Sequence, residues 1–249
     1  MAGSLAWAPL AATGLIVFAG TVLRAVSGLG FSLVAVPLLA LVWLPQQAVA
    51  IAVLFQSLST VPLVASQHRQ IDWDVLRRAC LGAATGLLPG LALLQWLSDT
   101  ALRLTLTLVL LLSIAVIVAG PRLIRRMTPA HIVLAGVCAG FGQGLAGVPG
   151  PPLMAGLLAL PHLDPRAVRV TASAIFLLLG MASVVSLLMH GAYDAMAPVG
   201  YAAAILGMAC GHLAGEKLFA LAGAAGFRRL VLLVLSASAL LTLAPLWPH

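Results

Sequence analysis

The chain has 249 residues, 62% of them hydrophobic and 8% charged, with a formal net charge of +7. Soluble domains carry about 25% charged residues, so this composition excludes a soluble binding module and points to a polytopic membrane protein. The basic balance does not indicate nucleic acid, because the cations sit in short loops between apolar runs, where the positive-inside rule places them.

Apolar segments fall at about 8–26, 31–44, 48–66, 76–95, 101–119, 129–146, 150–160, 170–189, 198–216 and 230–246. A span needs roughly 20 apolar residues, and segments 31–44 and 150–160 are too short to cross upright. Each follows a glycine-rich break. The first break reads Ser27-Gly28-Leu29-Gly30-Phe31-Ser32 and the second Gly144-Leu145-Ala146-Gly147-Val148-Pro149-Gly150-Pro151-Pro152. Residues 8–44 and 129–160 are therefore expected to form broken helical hairpins, either re-entrant or crossing, and the other six segments full spans. The N-terminus has no basic region ahead of its apolar stretch, so a cleaved signal peptide is not expected.

The two halves correspond. With Gly28 set against Gly147, Leu38-Leu39-Ala40-Leu41 faces Leu157-Leu158-Ala159-Leu160, and Ala48-Val49 faces Ala167-Val168. Glycine-spaced helices follow in each half, with Gly82, Gly86 and Gly90 in one and Gly207, Gly211 and Gly215 in the other. Eleven of the 13 basic residues lie in four alternate loops: Arg69, Arg77 and Arg78; Arg122, Arg125 and Arg126; Arg166 and Arg169; Lys217, Arg228 and Arg229. Placing these loops in the cytoplasm puts both termini outside. A hairpin returns to its starting side and three spans reverse it. The expected fold is thus all-α: two inverted repeats, residues 1–126 and 127–249, each a broken hairpin plus three transmembrane helices, together forming one transmembrane domain. Secondary transporters are often built so, with the site at the repeat interface.

The two motifs, residues 27–39 and Gly147-Val-Pro-Gly-Pro-Pro-Leu153, resemble those of the TauE/SafE family of sulfite exporters, also called the toluene sulfonate uptake permease family. The similarity extends over nearly the whole chain. Family members commonly carry three clustered glycines before an apolar-proline stretch, whereas this chain has Phe31-Ser32 in one motif and Pro149, Pro151 and Pro152 in the other. The resemblance implies a secondary transporter, exporter or permease, that moves sulfite, sulfoacetate, other sulfonates or organic anions across a bacterial inner membrane.

The ionisable residues agree with an anion. Asp72, Asp74, Asp99, Asp164, Asp194 and Glu216 all lie in loops or at segment ends, so no carboxylate stands at mid-membrane to hold a cation. Glycine lets the backbone N–H groups at the breaks approach a ligand, and a helix restarting there presents its positive end. Ser27, Gly28 and Gly30 in the first break, and Gly147 and Gly150 in the second, are candidate substrate-binding residues. Arg24, inside the first hairpin, is the candidate charged ligand, and the repeat alignment sets Gln143 near its level. Gln56 lies mid-span, and Thr171 and Ser173 lie near Arg169, where hydroxyls or an amide suit an oxyanion. His212 and Glu216 are four apart on one helix face.

No residue pattern calls for a metal or cofactor. Cys80, Cys138 and Cys210 have no ligand spacing. No phosphate-binding loop is present, so the energy source is a proton or other ion gradient, or a separate partner. The partners expected are a small anion and the bilayer, with the oligomeric state left open. The rival readings are an intramembrane enzyme, for which no catalytic motif is present, and a membrane subunit that transports nothing.

Overall fold

The computed structural model describes residues 2–27, 30–119, 128–160, 162–194, 196–215 and 217–218. The predicted span at 230–246 lies outside them, as do Gly28, the cations between residues 122 and 126, Glu216, and the cations at 228 and 229. The side chain of Ser27 is likewise outside.

The described residues form helices and no strands. They are α1 (Ala2–Ser27), α2 (Phe31–Leu39), α3 (Pro45–Gln67), α4 (Trp73–Trp96), α5 (Asp99–Ala119), α6 (Pro129–Ala146), α7 (Gly150–Leu158), α8 (Pro165–Met189) and α9 (Pro198–Gly215). Seven of these are long and apolar enough to cross a membrane; α2 and α7 are not. At nine residues each, α2 and α7 extend about 14 Å at 1.5 Å per residue, roughly half of a bilayer's hydrocarbon thickness. Each hairpin therefore pairs a full-length arm with a half-length one.

Among the helices that start earlier than the apolar runs predict, α3, α4 and α8 do so because their N-terminal residues rather than hydropathy set their first turns. The Asp72 carboxylate accepts from the N–H groups of Asp74 at 3.1 Å and Val75 at 3.0 Å, so α4 begins at Trp73. The Asp164 carboxylate accepts from the Ala167 N–H at 2.7 Å, with Pro165 in the first helical position. Arg169, expected in a loop, is thereby drawn into the first turns of α8. Pro45 starts α3 in the same way and restricts Leu44 to an extended backbone; α2 itself ends at Leu39, five residues before the end of the segment expected at 31–44.

The helices meet through glycine. A Cβ on Gly82, Gly86 or Gly90 of α4 would strike the α6 backbone at Val133, Val137 or Phe141. A Cβ on Gly136, Gly140 or Gly144 of α6 would strike the α4 backbone at Ala79, Ala83 or Leu87. Contact rises in number along both helices together, so α4 and α6 run parallel, packed as small residues allow in membranes. The α1–α9 pair repeats this arrangement: Gly207 meets Gly14, Gly211 meets Phe18, and Gly215 meets Val22 and Ala25. The glycine helix of each half thus lies on the first hairpin arm of the other half. Contacts also relate the two pairs in direction. Arg24 bonds Ser59 and Trp43 bonds Thr13, which sets α1 parallel to α3. Gln46 bonds Leu94, which sets α4 antiparallel to α3. The α4–α6 pair therefore runs opposite to the α1–α9 pair.

At the centre stand α3 and α8, crossing antiparallel: Gly180 abuts Ser57, while the Asp72 N–H beyond the far end of α3 donates to Thr171 Oγ1 at 3.0 Å. These two are the most enclosed spans, with 61% and 50% of their apolar windows buried against 22% for α9.

Candidate functional site

The two breaks converge on one small pocket. Its volume is about 20 Å³, and its walls are Arg24, Gly30, Phe31, Ser32 and Leu33 from the first hairpin, Gln56 from α3, Val148, Pro149 and Gly150 from the second hairpin, and Phe176 from α8. That volume is about one water molecule's worth. Gln56 is the twelfth residue of the 26-residue apolar stretch Pro45–Gln70, which sets the pocket near the middle of the helix bundle.

The breaks are built differently. Gly30 holds φ 108° and caps α2, a conformation that favours glycine because a Cβ there is strained. The first bond closing α2 runs from the Val34 N–H to the Gly30 carbonyl at 3.3 Å. The N–H groups of Phe31, Ser32 and Leu33 precede that bond and have no acceptor within the helix, and all three residues line the pocket.

In the second break the left-handed residue is Gly147, at φ 65°. Its N–H turns back to the Gln143 carbonyl at 2.9 Å, and the Val148 N–H turns back to Gly142 at 3.0 Å. Pro149, Pro151 and Pro152 carry no N–H, which leaves Gly150 as the one donor in residues 149–152. Gly147 packs against Val53, Val49 and Val36 rather than lining the pocket. The second break shapes the wall and contributes little to the set of backbone donors.

A side-chain chain joins the breaks. Ser32 Oγ, in the first turn of α2, donates to Gln56 Oε1, and Gln56 Nε2 donates to Gln143 Oε1 at 3.3 Å. Gln143 is fully buried, and its Nε2 has no hydrogen-bond partner. Arg24 is 8% exposed and donates from a terminal nitrogen to the Ser59 carbonyl of α3 at 2.6 Å. Buried polar groups of this kind are costly unless satisfied, and the unused Gln143 Nε2 donor can bond an acceptor at this depth.

Two larger cavities flank the small pocket. One of about 490 Å³ is lined by Thr21, Arg24, Pro62, Ser66, Arg169 and His212 among others, at the end of the bundle where the α3–α4 and α7–α8 connections lie. Arg24 belongs to both this cavity and the small pocket. The other, about 330 Å³, lies at the opposite end beside Gln46, Gln47, Gln95 and His190.

Of the residues singled out from sequence, Arg24, Gly30, Gln56 and Gly150 share the pocket, and Gln143 reaches it through Gln56. Gly28 and the Ser27 side chain lie outside the described residues. Thr171 serves the fold, accepting from the Asp72 N–H. Sequence reasoning passed over Ser32 and Phe176. Ser32 carried a signal, as a hydroxyl in the first turn after a glycine break, whereas Phe176 is one apolar residue among many on α8.

Gly147 provides a direct check on this geometry. A Cβ there would sit 2.8 Å from Val53 Cγ2 on a left-handed backbone. Gly147→Ala is expected to cost about 1–2 kcal/mol from the backbone conformation alone, seen as a lower thermal midpoint of the purified protein in detergent. An unchanged midpoint would refute the left-handed turn.

A family model described as Sulfite exporter TauE/SafE matches residues 12–242. No curated protein and no solved structure matches the chain.

Proposed function

We infer the function from the family: the chain belongs to the sulfite exporter TauE/SafE family. It is a multi-pass membrane protein of a transporter family, with seven described helices fit to span a bilayer. The specific reading proposed is a secondary transporter of small sulfur-containing or organic anions, such as sulfite, sulfoacetate or other sulfonates, across the inner membrane, with both termini outside the cytoplasm.

The observation that carries this reading is the convergence of both breaks on one pocket beside a buried arginine. Its chemistry is that of donors: the first-turn N–H groups of α2, the positive end of that helix, and the Arg24 guanidinium, which suits the planar or forked oxygens of a sulfonate or carboxylate. Among the pocket's lining residues there is no carboxylate to favour a cation. The two parallel glycine-packed pairs, running opposite to each other and crossing between halves, support inverted repeats over residues 1–126 and 127–249. The flanking cavities support alternating access to a site at the repeat interface. An anion leaving a cell that is negative inside gains about 2.3 kcal/mol per charge per 100 mV, which favours export.

Purified protein in liposomes tests the proposal. Saturable counterflow is expected with at least one of sulfite, sulfoacetate, taurine, isethionate and formate. Absence of counterflow with all five overturns it, and turnover of a sulfur compound by detergent-solubilised protein without a gradient would favour an enzyme instead.

A further inference from the structure

Residues Arg169, Ser173 and Phe176 are spaced four and three apart along α8, so they lie on one face of that helix. Their two ends border two spaces already described. Arg169 lines the 490 Å³ cavity, and Phe176 lines the small pocket at the breaks. Ser173 stands between them.

Two of these side chains carry donors that the protein itself does not use. Ser173 is fully buried, and its Oγ has no hydrogen-bond partner. A buried hydroxyl on a helix ordinarily bonds the carbonyl four residues back, as Ser57 does to Val53 and Ser183 to Leu179; Ser173 does not. The Arg169 Nε is also buried without a partner, while one of its terminal nitrogens donates to the Ala25 carbonyl at 2.9 Å. That bond holds the guanidinium against the last turn of α1, just ahead of the first break. It also sets the second cation of the cavity beside Arg24.

The geometry points to a second oxyanion station on α8, made by Arg169 and Ser173, that loads the anion from the cavity alongside Arg24 and ahead of the α2 N-terminus. The two residues are about 6 Å apart along the helix axis, a span that one sulfonyl group bridges with charge-assisted hydrogen bonds. Arg169 holds the anion at the cavity wall, and Ser173, one turn further along α8, is the next unused donor. The Ser173 hydroxyl can donate its free O–H to an oxygen of the anion. This deepens the anion-transport reading and rests on it.

Equilibrium binding to the purified full-length protein in detergent, without a gradient, tests the station, with sulfite, isethionate and sulfoacetate as probes. At least one is expected to bind the wild type. Ser173→Ala is expected to raise its Kd about tenfold, as loss of one hydrogen bond to a charged group does. The thermal midpoint without anion should stay the same or rise, since the hydroxyl bonds nothing in the structure. Arg169→Lys, which keeps the charge and loses the fork, is expected to raise the Kd by a similar factor. Wild-type Kd in both variants overturns the station, and so does failure of all three probes to bind the wild type. A Ser173-dependent Kd without counterflow in liposomes supports the station and overturns the carrier. Counterflow with an unchanged Kd in both variants does the reverse. Displacement of sulfite by phosphatidylglycerol added to the micelles would assign these donors to a lipid headgroup and overturn the role in loading.

Discussion

Arg24→Ala is expected to abolish saturable anion counterflow while the protein still folds and purifies as a single species. The guanidinium is 8% exposed and borders both the cavity and the pocket at the breaks, so an anion passing between them meets it. Removing one partner of a buried charged pair costs about 2–5 kcal/mol, which is about thirtyfold to several thousandfold in affinity. The structural cost is smaller. Alanine leaves the Ser59 carbonyl without its bond from Arg24, and such polar contacts between membrane helices are worth about 0.6–2 kcal/mol. Binding should therefore fail before folding does. Arg24→Lys retains the charge without the planar fork and should recover part of the flux. Wild-type kinetics for Arg24→Ala in liposomes, at equal protein incorporation, would remove Arg24 from the site.

Gly86→Val and Gly140→Val are expected to have the largest effect on the fold itself. A Cβ at either position strikes the backbone of the facing helix, at Val137 and at Ala83 respectively. Overpacking costs about 1–3 kcal/mol where side chains give way. Here only whole helices can give way, so each substitution should reach at least the top of that range and separate α4 from α6. Leu81→Ala, on the same helix but 70% exposed towards the surroundings, should leave the thermal midpoint nearly unchanged. A monodisperse Gly140→Val protein with the wild-type midpoint would show that the α4–α6 interface is not the close contact described. Gly82 belongs to the same seam, so Gly82→Val should lower the midpoint in the same way.

Much of the architecture was legible in the residues. Apolar runs located the spans, and the glycine breaks located both half-length helices, because hydropathy and the need for a left-handed glycine act locally. Helix starts were less legible. An apolar run begins where polar residues stop, whereas a helix begins where its first N–H groups are capped. Asp164 and Pro165 move the start of α8 back by a turn, and that one turn converts Arg169 from an expected loop cation into a cavity wall. The Ser32–Gln56–Gln143 chain was not legible as a chain. Its members are 24 and 87 residues apart, and nothing local marks them as neighbours.

By itself, the sequence determined that this protein lives in a membrane, that its chain breaks twice after a full-length arm, and that its carboxylates stay at the ends of the spans. Each of these follows from side-chain solvation or backbone sterics over a few residues. The prolines of the second break already lower its count of donors; the structure added that the first break offers its first-turn N–H groups to the pocket while the second turns its own back onto α6. It also decided which of many buried hydroxyls and amides lack a partner. Which buried groups find a partner depends on which helix lies opposite, and that is set by the crossed glycine packing of α4 on α6 and of α9 on α1.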